Sequence, residues 1–386
     1  MKLPLTYNFR HLRVRSRSTL VTITSIMLVV AVFVMVMSLA RGLRSTFLNT
    51  GTGSNLLIIR KGALAESSSQ ITIDDVRRTR FLEGIRRTPE GDPLASGEVI
   101  VLITMERPNG AKAHVQVRGL GPVGLQLRPQ IKILEGRMFR RGLRECIVSR
   151  KVASRFTHCQ LGESFRSGKH LWKVVGTFEA ANTAYESEIW IDADEAREAF
   201  HRSFYCSVTI QPENEKAAER LIQRIEGDKG RQLRALSEAE YYREQTKTAR
   251  PIQMLGGSLA LVMSIGAAFS MMNTMYATVG ARTREIATLR VLGFEPASIY
   301  LSFLLEAVFL GVIGGLLGCL LSLPLNGLVT GTFNWATFAE VAFEFQITPG
   351  LFAWGMLFAV VMGALGGLLP ARMAARTSLL EGLRAS

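Results

Sequence analysis

The sequence predicts an integral α-helical membrane protein with four transmembrane helices and a large extracytoplasmic α+β domain inserted between the first and second. Apolar residues make up 48% of the 386 residues and the mean hydropathy is +0.19, although the net charge is +14. Of the charged residues, 35 basic and 26 acidic ones lie between Arg41 and Arg250, and long uncharged runs flank this region. A nucleic-acid-binding protein would be equally basic without such runs, so no nucleic-acid partner is expected.

Four segments are long and apolar enough to cross a membrane, since a spanning helix needs about 20 mostly apolar residues. They must be helical because backbone groups in lipid have to be hydrogen-bonded within the segment. The predicted spans are residues 19–40, 251–280, 299–324 and 350–370. The first could instead be a cleaved signal peptide, because basic residues precede it and Ser38-Leu39-Ala40 ends it. Its apolar core is longer than the roughly 7–15 residues of a signal peptide, which favours a retained anchor.

The short loops indicate the orientation, because basic loops stay in the cytoplasm. Segment 1–18 carries five Lys and Arg and no acid, and further basic residues occur in the loop 281–298 and the tail 371–386. The loop 325–349 has two acids, Glu340 and Glu344, and no basic residue. Both termini are therefore expected in the cytoplasm and the domain 41–250 outside.

Short β-rich runs alternate with helical stretches in the external domain, which is long enough to bury a core, expected as two lobes. The predicted strands are Leu56–Ile59, Val99–Thr104, His114–Arg118, Lys173–Phe178, Glu188–Ile191 and Ser207–Ile210. The predicted helices are Asp74–Ile85, with Thr72 as its cap, and Glu213–Ile225. Helical segments at Arg41–Asn49 and Ser237–Arg250 flank the domain. They either continue the first two spans as a rigid stalk or form separate surface helices.

No catalytic, cofactor or metal signature is found. The nearest match to a phosphate-binding loop is Gly162 followed by Gly168-Lys169-His170. Five residues separate its two glycines where the motif has four, and His stands where the motif has Ser or Thr. The odd number of external cysteines (Cys146, Cys159, Cys206) does not favour a disulfide framework, and with the neighbouring His158 and His170 they match no zinc spacing.

Small residues are patterned in the predicted spans, where they let helix backbones approach closely. The GxxxG glycines are Gly311, Gly314, Gly315, Gly318, Gly363 and Gly367, and a small-residue row in the second span contains Gly256, Ala260, Ser264 and Ala268. Packing within the four helices explains most of this pattern, and one face could serve a second membrane-spanning chain.

The predicted cytoplasmic loop contains a short amphipathic helix ending at Gly293, which suits a left-handed cap. Ile286, Leu289 and Leu292 would form an apolar side, with Arg282, Glu285 and Arg290 opposite. Such a helix could lie on the lipid surface or dock a cytoplasmic partner.

Residues 284–293, R-E-I-A-T-L-R-V-L-G, resemble the R-E-I-x-x-L/M-R-x-x-G signature of the FtsX/MacB/LolC-type ABC-transporter permeases. The following Glu306-Ala307 and Gly314-Gly315-x-x-Gly318, and Pro370-Ala371 with Ala374-Ala375 after the fourth span, also resemble this family. The order of parts matches throughout the chain, whereas the specific motifs occupy about 281–318 and 370–376.

The resemblance implies a non-catalytic permease subunit in a bacterial plasma (inner) membrane. Two permease chains, identical or different, would pair with two separate ABC ATPase subunits, because no fused ATPase domain accompanies these motifs. ATP hydrolysis would move the spans and the external domains, for export, extraction or transenvelope signalling. Membrane lipid, a periplasmic adaptor and a substrate protein are further partners that the resemblance implies.

The resemblance also assigns roles to residues. Contact with the ATPase, or the shape of the coupling helix, would depend on Arg282, Arg284, Glu285, Leu289, Arg290 and Gly293. Glu306 lies within the third span, where a lipid-facing carboxylate is costly, so it is expected to pair with an arginine at the cytoplasmic border. Two other functions stay open from the residues alone: a membrane-anchored sensor or scaffold without an ATPase, and an enzyme with its site in the external domain.

Overall fold

The computed structural model describes residues 16–246, 250–334 and 337–377, and it divides into two compact units. The membrane unit comprises residues 1–41, 251–328 and 345–386. The external unit comprises residues 42–250 and 329–344. Most of the predicted cytoplasmic N-terminus and tail, residues 1–15 and 378–386, lies outside the described residues.

Four long apolar helices confirm the predicted spans. In chain order, the α-helices are α1 (Ser16–Thr50), α2 (Ile73–Arg80), α3 (Arg150–Arg155), α4 (Ala193–Ala199), α5 (Glu215–Gly227), α6 (Glu238–Gln245), α7 (Arg250–Ala281), α8 (Thr283–Val291), α9 (Pro296–Ser322) and α10 (Pro349–Arg376). Helix α1 is continuous through the predicted stalk 41–49, so this segment is not a separate surface helix. The second stalk segment begins as α6, but residues 247–249, before α7, lie outside the described residues.

The external unit contains a ten-stranded mixed sheet in the order β10-β1-β9-β2-β3-β8-β5-β7-β4, with β6 also paired to β7. Its strands are β1 (Leu56–Arg60), β2 (Ala95–Glu106), β3 (Lys112–Leu120), β4 (Lys132–Gly136), β5 (Glu145–Ser149), β6 (Ser164–Ser167), β7 (His170–Glu179), β8 (Glu188–Asp192), β9 (Ser207–Ile210) and β10 (Leu233–Ser237). The pairs β3–β8 and β5–β7 are parallel, and the other pairs are antiparallel. Each predicted strand lies within an observed one.

Local sequence signals explain where the helices of the external unit begin. Asn214 caps α5 and Thr72 caps α2, each accepting a hydrogen bond from a backbone N–H in the first turn. Helix α2 ends at Arg80, before the predicted Ile85. The chain then turns at Gly84, whose φ of 92° is left-handed and could not belong to a helix reaching Ile85.

Two hydrophobic cores lie on this one sheet, in place of two separate lobes. The larger core includes Val101, Val117 and Trp172, and the second includes Ile58 and Leu221. Strand β2 contributes to both, because its first residue packs in the second core and its later residues pack in the larger one. The length of β2, 12 residues, is what lets one strand serve both cores.

A fully buried cluster of charges connects the elements of the external unit. Arg118 on β3 forms ion pairs with Glu66, Glu98 and Glu188 at 2.7–3.0 Å, and Arg128 forms one with Glu98 at 2.7 Å. Burial by itself would raise the pKa of Glu66, but the charge and hydrogen bonds of Arg118 hold that pKa below its usual value. The three carboxylates are held in position by Arg118, because charge-assisted hydrogen bonds are directional.

The loop between α9 and α10, predicted as a short extracytoplasmic loop at 325–349, contains a β-hairpin. Its strands, β11 (Val329–Phe333) and β12 (Glu340–Glu344), pair antiparallel. The hairpin belongs to the external unit, where Glu340 forms ion pairs with Arg107 and Arg155. Of the two acids used above to orient the loop, Glu340 pairs with these arginines and Glu344 with Lys151, so both have a structural role as well.

Candidate functional site

Helix α8 occupies the predicted coupling segment and ends as the sequence predicts. Gly293 follows it with a φ of 91°. The Phe294 N–H donates to the Leu289 carbonyl at 3.1 Å, and the Gly293 N–H donates to the Arg290 carbonyl at 3.2 Å. This pair of bonds is a Schellman motif, which requires a left-handed residue at the position of Gly293. The glycine therefore sets the shape of the helix end.

Arg282, which lies between α7 and α8, forms an ion pair with the third span. Nη1 of Arg282 lies 3.1 Å from Oε2 of Glu306, and both side chains are largely buried. The guanidinium also lies over the ring of Phe303, 5.9 Å from its centroid. The structure thus pairs Glu306 with an arginine next to the predicted coupling helix, as expected for a costly intramembrane carboxylate.

The last turn of α8 is hydrogen-bonded to the fourth span. Nη1 of Arg290 donates to the carbonyl oxygen of Ala375 at 3.1 Å. Ala375 lies in the final turn of α10, where carbonyl groups lack partners within the helix. Arg290 therefore caps α10, and α8 is fixed at one end to α9 and at the other to α10.

The apolar side of α8 differs from the prediction. Ile286 and Ala287 are buried against the membrane unit, and Leu289 lies in a small cleft with Arg282 and Ile299. Leu292, predicted on the packed side, is 66% exposed, and Val291 is 63% exposed. Val291 is the last residue of α8 and Leu292 is its C-cap, so the two apolar side chains form an exposed tip at the end of the helix within this unit.

The predicted packing glycines divide between two interfaces. A Cβ on Gly311 would lie 2.7 Å from the Ala359 carbonyl oxygen, and one on Gly363 would lie 2.9 Å from the Ala307 carbonyl oxygen, so these residues sit where α9 and α10 cross. Gly315 and Gly367 face the same crossing. Gly314 and Gly318 instead face α1, since their nearest neighbours there include Ile26, Met27 and Val30.

The structure therefore brings Arg282, Glu285 and Leu289 together around one cleft and pairs Glu306 with Arg282. Both Arg284 and Glu285 are exposed. Sequence reasoning missed the Ala375 carbonyl, and no side-chain pattern could have revealed this backbone acceptor. It also missed Phe303, one turn before Glu306, whose position on that face was a usable signal. Within residues 16–246, 250–334 and 337–377, no group of His, Cys, Asp and Glu is arranged to hold a metal ion.

Comparisons with known proteins agree with this architecture. Residues 257–379 match the FtsX-like permease C-terminal family, and residues 19–227, more than half of the chain, match the MacB-like periplasmic core domain. The chain is a multi-pass membrane protein with an extracytoplasmic domain. It belongs to the MacB/FtsX family of ABC transporter permeases.

Individual relatives are distant in sequence. The macrolide export ATP-binding/permease protein MacB of Bdellovibrio bacteriovorus is 24% identical over 382 residues, covering 90% of this chain and 56% of that protein. This chain thus spans little more than half of that relative. The uncharacterized ABC transporter permease YknZ of Bacillus subtilis is 24% identical over 345 residues, covering 83% of this chain and 80% of YknZ. The crystal structure of the periplasmic region of MacB from Actinobacillus actinomycetemcomitans covers 50% of this chain and 92% of that chain, at 13% identity and a TM-score of 0.39.

Proposed function

We propose that this chain couples ATP hydrolysis by a separate cytoplasmic ABC ATPase to movement of its external domain, in a bacterial plasma membrane with both termini inside. The observation that carries the proposal is the attachment of α8 to two spans at once, through Arg282–Glu306 and Arg290–Ala375. A force applied to α8 would displace α9 and α10 together, because both ends of the helix are held.

The exposed tip of α8 is the contact that we assign to the ATPase. Val291 and Leu292 are large apolar side chains beyond the last charged residue of the helix, and Arg284 and Glu285 lie exposed on its first turn. Exposed apolar side chains beside charged groups could bind in a groove on a soluble partner, since a few buried anchor residues provide most of the binding energy at such interfaces. Export, extraction or signalling across the envelope would follow from the resulting movement.

A second permease chain is part of this proposal. Helix α7 carries small residues at outward positions, because a Cβ on Gly257 or Gly266 would meet nothing within 4 Å. Small residues let helix backbones approach closely, which favours helix association in lipid. The four-helix unit would therefore pair with a copy of itself or with a related chain, and two ATPase subunits would bind the pair.

The test begins with recovery of the complex from native membranes. Leu292→Asp should abolish co-purification of the ATPase while the permease itself stays folded, because Leu292 is mostly exposed. Arg372→Ala, which removes an exposed charge outside α8, is the matched control. A full ATPase yield with Leu292→Asp would refute the docking assignment, and wild-type membranes yielding no ATPase would favour the sensor or scaffold.

A second measurement separates docking from coupling. Arg290→Ala should lower the ATPase rate of the assembled complex without reducing recovery of the ATPase, since Arg290 holds α8 to α10. Unchanged activity in an intact complex would overturn the coupling role of α8.

A further inference from the structure

Three segments of the external unit that are continuous in sequence with the spans converge on one turn. The turn comprises the 3₁₀ segment Ala184–Ser187 and the first residue of β8, Glu188, and is called the junction turn below. The converging segments are the end of α1, the start of α6 and the β11–β12 hairpin. Tyr185, Glu186, Ser187 and Glu188 are all buried, so the turn lies within the external unit and is not a mobile surface loop.

The end of α1 reaches the junction turn through a hydrogen bond between a backbone N–H and a side-chain hydroxyl. The Ala184 N–H donates to Oγ1 of Thr50, the last residue of α1, at 2.7 Å. The next residue, Gly51, crosses the start of α6 so closely that a Cβ there would lie 2.7 Å from the Glu238 carbonyl oxygen. The chain leaving α1 and the chain entering α6 are therefore in direct backbone contact.

The start of α6 reaches the same turn through Tyr185. The Tyr185 hydroxyl donates to Oε1 of Glu238, the first residue of α6, at 2.6 Å. The other oxygen, Oε2, accepts from the Thr52 N–H at 3.2 Å, the Thr52 hydroxyl at 2.8 Å and Nδ2 of Asn55 at 3.1 Å. One carboxylate thus joins the junction turn, the start of α6 and the residues after α1.

The hairpin reaches the junction turn at two neighbouring positions. The Ala342 N–H donates to Oγ of Ser187 at 2.7 Å. Nζ of Lys151 lies 2.7 Å from Oε2 of Glu186 and 2.9 Å from Oε1 of Glu344, bridging the turn to the end of β12. The hairpin is therefore held to the turn by a hydrogen bond and by a charge bridge through the buried Lys151.

The junction turn leads directly into the sheet. Glu188 accepts hydrogen bonds from Nε of Arg118 at 2.8 Å and from its Nη2 at 2.9 Å. The Arg118 guanidinium lies 5.3 Å from the centroid of the Tyr185 ring and also binds Glu66 and Glu98 on other elements. A displacement of the turn would therefore act on a cluster that joins several strands.

We propose that the junction turn receives movements from all three membrane-connected segments and transmits them to the sheet. Tyr185 and Glu238 are the positioning residues that hold the turn against the start of α6. The inference rests on the proposed coupling function for its use in the working complex. The connection itself rests on geometry alone, so the two are tested separately.

The connection is tested on the full chain in detergent by hydrogen exchange. Tyr185→Phe keeps the ring and removes only the donor to Glu238, so exchange should increase at residues 50–55, at the start of α6 and in β12 together. Tyr205→Phe is the matched control, because its hydroxyl contacts Asp194 and Arg197, away from the junction turn. Exchange that increases at only one of the three segments would overturn the proposal, and Glu238→Gln should repeat the Tyr185→Phe pattern.

The role in coupling is tested on the complex recovered from membranes, with and without a non-hydrolysable ATP analogue. In the Tyr185→Phe complex the nucleotide-dependent change in exchange should persist at α8 and be lost at β3 and β8. A response of β3 and β8 equal to that of the wild type would overturn the role in coupling. If the nucleotide changed no hydrogen exchange at α8 in the wild-type complex, the proposed function would be refuted. The detergent experiment would still test whether the three segments are connected through the junction turn.

Discussion

Arg282 and Glu306 are 24 residues apart in sequence, and their side chains form a 3.1 Å ion pair that joins the α7–α8 connection to the third span. Breaking a buried pair by removing one partner costs about 3–5 kcal/mol in proteins. Replacing both partners with apolar residues is often neutral, because neither charge is then buried. The two kinds of change therefore show whether the loss of stability comes from leaving one charge buried without its partner.

We expect Glu306→Ala to lower the free energy of unfolding of the purified chain by about 3 kcal/mol, the lower end of the range for a broken buried pair. The double variant Arg282→Leu/Glu306→Leu should recover most of this loss. Denaturant titration of the detergent-solubilised chain measures both values. Asp74→Ala, which removes an exposed partner of Arg77, is the control and should have little effect. Equal destabilisation by the single and double variants would contradict the ion-pair explanation.

The glycines of the spans give a second prediction. Whether a substitution by alanine lowers or raises the free energy of unfolding should depend on what the new Cβ would meet. Gly311→Ala should destabilise the chain by about 1–3 kcal/mol, because the new Cβ would lie 2.7 Å from the Ala359 carbonyl oxygen and the helices would have to separate. Gly266→Ala in α7 meets nothing within 4 Å, so it should be neutral or stabilising by up to about 1 kcal/mol. Thermal unfolding of both variants makes the comparison, and a stabilising Gly311→Ala would refute the assigned crossing.

The sequence predicted the spans because hydrophobic length is a local property, and it predicted Gly293 as a cap because the required conformation is local too. It also predicted that Glu306 would pair with an arginine, since an isolated intramembrane charge is costly. It could not show that Arg290 binds the Ala375 carbonyl or that Glu340 binds Arg107 and Arg155, because those partners are far apart in the chain. The exposure of Leu292 was missed for a similar reason, since helical periodicity continues its pattern past the point where the Schellman turn ends the helix.

Glu145 gives a prediction on pH dependence. Arg137 donates to its two oxygens at 2.6 and 2.5 Å and the Arg140 N–H donates at 2.9 Å, so the hydrogen bond from Arg137 is the main cause that lowers the pKa of Glu145 from 4.5 to about 2. A lowered pKa in the folded state stabilises the protein above the unfolded-state pKa, and this contribution is lost as pH falls from about 4.5 towards 2.

Glu145→Gln should therefore destabilise the chain at pH 7 and show a smaller loss of stability than the wild type between pH 5 and pH 2. Urea unfolding of the full chain at a series of pH values measures the difference. Glu135→Gln, at an exposed position on β4, is the control and should leave the wild-type pH dependence in place. If the free energy of unfolding of Glu145→Gln fell with pH as steeply as that of the wild type, other carboxylates would govern the acid sensitivity.

The cysteines give the last prediction, which concerns reactivity. All four cysteines lie within the described residues and are buried and free. Burial raises the pKa of Cys159 to about 12 and that of Cys206 to about 11, and it raises the pKa of Cys146 further. The thiolate is the reactive form, so these thiols have both low access and little thiolate at neutral pH.

We therefore expect a maleimide reagent at pH 7.5 to leave the folded chain unlabelled and to label it fully after denaturation without reductant. Phe81→Cys is the positive control, because this side chain is 76% exposed and the substituted thiol should react in the folded state. Intact mass measured with and without denaturant counts the modified thiols. A denatured chain with fewer than four reactive cysteines would reveal a disulfide and contradict the structure. Labelling of the native chain as fast as Phe81→Cys would show that the fold opens around at least one of the buried cysteines.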